Sequence, residues 1–183
     1  MATHRLPVAL GLPDSGVPID TVANQITEAT EPSIGTQRCF VIADGGADEG
    51  VRCKFTVPKN YVGTPKLIIR GILDGAPSAA QTLQFGFRKR AVDATPPGES
   101  ADGTFDAEQT SDVKGRADDI IGSNGANYAD EDEFELVIPL TAGDYAVDDS
   151  VYGYVYIDAS GTDYAGNVLL CDEDSVFFEY ADA

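Results

Sequence analysis

The chain has 183 residues, a formal net charge of -19 and a sequence pI near 4.1. So acidic a surface repels phosphate, which disfavours nucleic-acid binding, and no apolar run approaches the ~20 residues of a membrane span. A hydrophobic share of 43% is ordinary for a globular protein with a packed core.

Residues 1–38 differ from the rest. Leu6, Val8, Leu10 and Leu12 run up to Pro13, then Val17, Pro18 and Ile19 follow before a polar stretch ending near Pro32. Proline recurs too often for a helix and the apolar residues keep no clean period, although a helical turn or two fits around Thr21 to Ala29. The segment reads as an extended N-terminal arm whose apolar residues lie on another surface, or on the edge of its own domain. On the first alternative, deleting residues 1–30 leaves the remaining domain folded and abolishes attachment. No secretory signal of the usual three-part form is evident.

From Cys39 the pattern becomes β. Val51, Cys53, Phe55 and Val57 alternate with Arg52, Lys54 and Thr56, as in a half-buried strand. Pro58 to Pro65 reads as a turn-rich connection, followed by a strand over Lys66 to Ile72 and a turn at Asp74-Gly75. Leu83, Phe85 and Phe87 mark a further strand. Asp93 to Gln109 is loop-like, with a short strand near Phe105. Phe134 to Leu140 is a strand whose Pro139 places it at an end or an edge. Val151 to Ile157 is the clearest strand of all, and Val168 to Cys171 and Val176 to Tyr180 close the set. Many short strands between Gly, Asp and Pro turns, with no long helix, predict an all-β protein, a β-sandwich or jelly roll over residues 39–183 preceded by the arm.

The three cysteines, Cys39, Cys53 and Cys171, are too few and too odd in number for a disulfide framework, and no two have zinc-ligand spacing. They point to folding in a reducing compartment such as a bacterial cytoplasm, with Cys53 a small core residue. The one histidine, His4, lies in the arm, away from any rigid nucleophile. The 31 acidic residues single out no catalytic pair, and the chain has no tryptophan to stack a sugar. Acidic loops at Asp44 to Glu49, Asp130 to Glu133 and Asp158 to Asp163 lack the EF-hand spacing and read as solvated turns. No catalytic residue, cofactor or metal is assigned.

Two features suit partner binding. Tyr152, Tyr154 and Tyr156 share one face of their strand, either exposed for a protein or glycan contact or buried beneath another segment. Arg88-Lys89-Arg90 is a basic cluster in an acidic chain, where Arg88 and Arg90 either pair with carboxylates of a neighbouring copy or stand solvated at a strand end.

Two stretches carry a family resemblance: Phe55-Thr56-Val57-Pro58-Lys59-Asn60-Tyr61-Val62-Gly63-Thr64-Pro65-Lys66-Leu67, and Leu140-Thr141-Ala142-Gly143-Asp144 followed by Val147 to Val151. With the Arg5-Leu6-Pro7-Val8 start, the pattern resembles virion structural proteins of tailed phages. That resemblance implies jelly-roll strands joined by such turns and a capsid decoration or cement role. The protein would be made in the host cytoplasm and carried on the capsid exterior as a homotrimer touching the major capsid protein and neighbouring copies. The Pro96 to Asn127 stretch departs from a compact version of this pattern. The alternative is a tail- or fibre-associated, lectin-like binding module using the tyrosines; a glycan hydrolase on the same fold stands third.

Overall fold

In a computed structural model, residues 1–11, 27–30, 38–43, 49–75, 81–92, 109–110, 114–115, 132–171 and 175–183 are described. Leu12, Val17, Ile19, the first acidic loop up to residue 48 and the strand expected near Phe105 lie outside them. The strands in chain order are β1 (Thr3–Pro7), β2 (Ala9–Gly11), β3 (Thr27–Thr30), β4 (Arg38–Ala43), β5 (Glu49–Thr56), β6 (Tyr61–Asp74), β7 (Thr82–Leu83), β8 (Phe85–Val92), β9 (Gln109–Thr110), β10 (Lys114–Gly115), β11 (Glu133–Pro139), β12 (Ser150–Ile157), β13 (Asn167–Cys171) and β14 (Val176–Asp182). A single 3-10 turn, Ala142–Asp144, is the one helical element among the described residues. No helix there is long and apolar enough to cross a membrane.

The protein is nearly all β, built on two antiparallel sheets. In the first sheet β6 is the spine. It pairs with β11 on one edge and with β14 and β13, one along each half, on the other. Strand β1 extends the β14 branch, and β4 then β3 extend the β13 branch. The second sheet has the order β2-β5-β12-β8-β9, and β10 pairs with β7 in a small separate ladder. The connections β1 to β2, β4 to β5, β5 to β6, β11 to β12 and β12 to β13 each pass from one main sheet to the other. The turn expected at Asp74-Gly75 therefore ends a strand without making a hairpin.

Alternation explains which side chains meet between the sheets. Leu67, Ile69 and Leu73 from β6 face Val51, Phe55, Val151 and Val155 in one continuous core. Phe178 of β14 is fully buried at its centre. Its ring stacks on Phe55 of the other sheet at 4.7 Å between centroids and on Tyr180 at 5.9 Å, with Tyr145 at 5.7 Å and Tyr61 at 6.0 Å.

Strand β6 is longer than its sequence suggests. Only Pro58 to Asn60 forms a turn, closed by a 3.1 Å bond from the Tyr61 N–H to the Pro58 carbonyl. Pro65 is tolerated because the β14 register shifts between Glu179 and Ala181, bulging β6 where a proline has no N–H to give. Gly63 lies in this bulge with φ of +86°, a conformation that side chains resist. The helical turn expected near Thr21 to Ala29 is corrected at its end: Thr27–Thr30 is extended and pairs with β4.

Residues 1–11 are extended, but they run along the chain's own sheets. Strand β1 pairs with β14 and β2 with β5, so the segment closes an edge of each sheet. Val8, between them, is buried, and its N–H bonds the Val176 carbonyl at 2.9 Å. The edge-packing alternative thus describes this segment.

Arg5 fastens it on the outer face of the first sheet. Its guanidinium donates to Glu135 in β11 at 3.0 and 3.2 Å and to Glu179 in β14 at 2.9 Å. Arg70 donates to the same Glu135 at 2.8 Å. Arg5 thereby reaches from β1 across β14 and β6 to β11. Partial burial pushes the Glu135 carboxyl up, but the bonds from Arg5 and Arg70 outweigh it and hold the group below its usual range. A lowered folded-state value means stability that is present above the ordinary glutamate range and lost as pH falls through the lowered one. Glu135→Gln should cost about 1 kcal/mol at neutral pH, a modest value because the carboxylate is partly exposed. The difference between the variant and the parent should vanish in acid. Urea melts of both proteins across pH 7 to 3 check this; a constant gap at every pH would refute the clamp.

Candidate functional site

The face of the second sheet that points away from the core gathers the sequence's binding candidates. Strand β12 is central, so each of its tyrosines has a neighbour on both sides. Tyr154 stands opposite Arg52 of β5 and Arg88 of β8. Tyr152 stands opposite Lys54, and the backbone register sets Arg90 beside it. Tyr156 stands between Gly50 and Gly86. A Cβ at Gly86 would come within 2.5 Å of the Tyr156 ring, so the ring lies down over that glycine. The Lys54 ammonium sits 4.8 Å from the Tyr152 centroid, and the Arg88 guanidinium 5.7 Å from that of Tyr156. Both are cation–π distances.

The tyrosines are not equivalent. Tyr152 is 42% exposed, whereas Tyr154 and Tyr156 are buried at 4% and 1%. The stripe is thus half of each alternative: open at its Tyr152 end and covered towards Tyr156. At the open end a cleft of about 390 Å³ is lined by Leu10, Gly11, Arg52, Lys54, Tyr152 and Tyr154.

Charge is what sets this face apart. Among the described residues of β2, β5, β8 and β12 the single carboxylate is Glu49. Alternation with Val51 and Cys53 turns Glu49 to the inner side, where it is buried. The outer face of these strands therefore carries cations and tyrosines without an acidic residue of its own, in a chain of net charge -19. Such a surface suits a carboxylate beside an aliphatic, aromatic or sugar ring.

The Arg88-Lys89-Arg90 run is not one surface cluster. Lys89 is 2% exposed, and its ammonium lies 4.8 Å from the Tyr145 ring. The period of two sends Arg88 and Lys89 to opposite faces. Arg52 and Lys54 belong to the site although the sequence picks them out only as the polar half of an alternating strand. Cross-strand pairing with β12 was the missing information.

Of the arm residues, Val8 is buried, and Leu6 and Leu10 pack against the chain's own core. Their apolar surface is largely used within the molecule. His4 bonds Asp182 through Nε2 at 3.0 Å and stacks on Tyr180. In the third acidic loop Asp158 accepts bonds from the Ser160 N–H and hydroxyl at 2.9 and 2.6 Å. Asp163 accepts from the N–H and hydroxyl of Thr82, the latter at 2.8 Å. These carboxylates hold the turn together. No group of three or more metal-ligating side chains occurs among the described residues.

No family model, curated protein or solved structure matches the chain.

Proposed function

We propose that this chain is a non-catalytic structural protein of a tailed-phage particle, a capsid decoration protein that sits on the shell exterior. It binds shell subunits and neighbouring copies, as a homotrimer, through the tyrosine and basic face of its second sheet. The observation that carries the reading is the make-up of that face: among the described residues of β2, β5, β8 and β12 it gathers cations and tyrosines, and the one carboxylate of these strands, Glu49, turns inward, on a strongly acidic chain. Such a surface docks acidic neighbours in one orientation while the remaining surface repels. The turn pattern around Pro58 and Gly143 supports the phage assignment. The repeated passage of the chain between sheets supports the jelly-roll form of the fold. Protein made in the host cytoplasm would then coat assembled shells, with avidity from many copies.

The reading shifts the mechanism from apolar stapling by the arm to contact through the second sheet. Binding to shells that lack decoration protein, measured by co-sedimentation, should weaken as sodium chloride is raised from low strength, because salt screens cationic contacts. Lys54→Glu and Tyr152→Ala should each reduce it at least tenfold without changing the thermal midpoint. Binding that strengthens with salt and ignores both substitutions would overturn the proposal. The cleft beside exposed Tyr152 favours a second reading, a lectin-like module of the tail or fibre. Binding to host polysaccharide, with no affinity for shells, would select it.

A further inference from the structure

The outer face of the first sheet joins two cysteines that are 132 positions apart in sequence. Cys39 of β4 and Cys171 of β13 are directly opposed in an antiparallel register. Their Sγ atoms are 2.9 Å apart. The structure holds all three cysteines as thiols, without a disulfide. Directly opposed antiparallel residues have Cα atoms about 4.5 or 5.5 Å apart, inside the roughly 4.4–6.8 Å range that a disulfide spans. The register and the sulfur separation therefore place the pair within reach of a disulfide. Val41, Leu169 and Ile72 pack around the pair and hold its geometry.

Access is unequal. Cys39 is 1% exposed and Cys171 9%. Cys171 also lines a cleft of about 720 Å³ with Arg70, Glu133, Glu135 and Leu169. Cys171 is thus the member of the pair nearer solvent and the one a small oxidant would meet first. Cys53 lies on the inner side of the other sheet, and burial pushes its thiol far up from the ordinary range, so it is no rival nucleophile.

We propose that Cys39 and Cys171 form an oxidation site, a dithiol that hydrogen peroxide converts into a cross-strand disulfide tying β4 to β13. The Cys171 thiolate attacks one peroxide oxygen. The O–O bond breaks, and hydroxide leaves and takes up a proton as water. The Cys39 thiolate then attacks the sulfenic sulfur of Cys171. The S–S bond forms and a second hydroxide departs as water. Two thiols give up two electrons and two protons, and peroxide becomes two waters. Because β4 holds β3, the bond locks the whole outer branch of the sheet. A chain folded under reducing conditions gains this staple on meeting an oxidising medium. The inference is independent of the decoration reading.

The test treats full-length protein with hydrogen peroxide and counts thiols after denaturation. From three cysteines, two are consumed and one remains. Peptide mapping should link Cys39 to Cys171, and dithiothreitol should reverse the link. The oxidised form should melt about 5–10 °C higher, since the bond closes a long loop. Cys39→Ser should trap a sulfenic acid on Cys171 that reacts with dimedone. Persistence of all three thiols, a bond through Cys53, or disulfide-linked dimers in the parent protein would each overturn the site. Cys39→Ala repeats the trapping in case the buried serine perturbs folding.

Discussion

Replacing Phe178 with alanine should lower stability by about 3–5 kcal/mol, the range for deleting a buried phenylalanine. The upper half of that range is expected. Phe178 is fully buried and, among the described residues, its ring meets Phe55, Tyr61, Tyr145 and Tyr180 together. Aromatic pairs of this kind contribute about 0.5–1.5 kcal/mol each beyond the area they bury. The stacked pair with Phe55 also crosses from one sheet to the other, so its loss loosens the sheets and not one strand alone. Phe178→Leu keeps most of the volume and should cost about half as much. Equilibrium urea unfolding of the three proteins decides it. A loss below ~1.5 kcal/mol for the alanine variant would mean the cluster is not packed around this ring.

Removal of residues 1–11 should have an effect of similar size, with a different symptom. Burial of Val8 alone is worth about 1.5–3 kcal/mol. Leu6 and Leu10 add partial burial, and the Arg5 bonds to Glu135 and Glu179 disappear with them. The deletion also uncovers one edge of β14 and one of β5, since β1 and β2 pair there. Open edges recruit other chains. The truncated protein should melt lower and should associate on size-exclusion chromatography as its concentration rises. A monomer with the parent's melting point would show that the first strands contribute nothing to the fold. Deleting residues 1–30 removes the same two strands, so it should carry at least this loss of stability and does not spare the domain.

Strand identity was legible because one face of each strand is buried. Val51 to Val57, Phe134 to Leu140 and Val151 to Ile157 announce themselves by alternation or by aromatic and β-branched content, and each is a strand. Pro139 was read as marking an end or an edge, and it is the last residue of β11. Pairing was not legible, because it depends on residues remote in sequence. Nothing local to Tyr154 says that Arg52 and Arg88 flank it. Nothing local to Cys39 says that Cys171 faces it. The N-terminal strands were ambiguous for a related reason: Leu6, Val8 and Leu10 show apolar surface in need of cover, but composition does not say which surface supplies it. Pro65 misled through its usual meaning as a strand breaker, since the bulge opposite Tyr180 removes the need for its N–H.

The ladder between β1 and β14 sets His4 against Tyr180 and Leu6 against Phe178, residues from nearly opposite ends of the described chain. Strand β6 likewise waits for β11, β13 and β14. Such pairings carry the full entropy of closing a long loop before any contact repays it. A nascent chain emerging from the ribosome therefore holds one edge of β6 unpaired until β13 and β14, within the last sixth of the sequence, have been made. Refolding belongs on the slow side for a domain of this size, about milliseconds to seconds, as for other proteins of non-local β topology. During that interval the strong acidity of the chain has its use: like-charged, half-made copies keep apart long enough for each to find its own final strand.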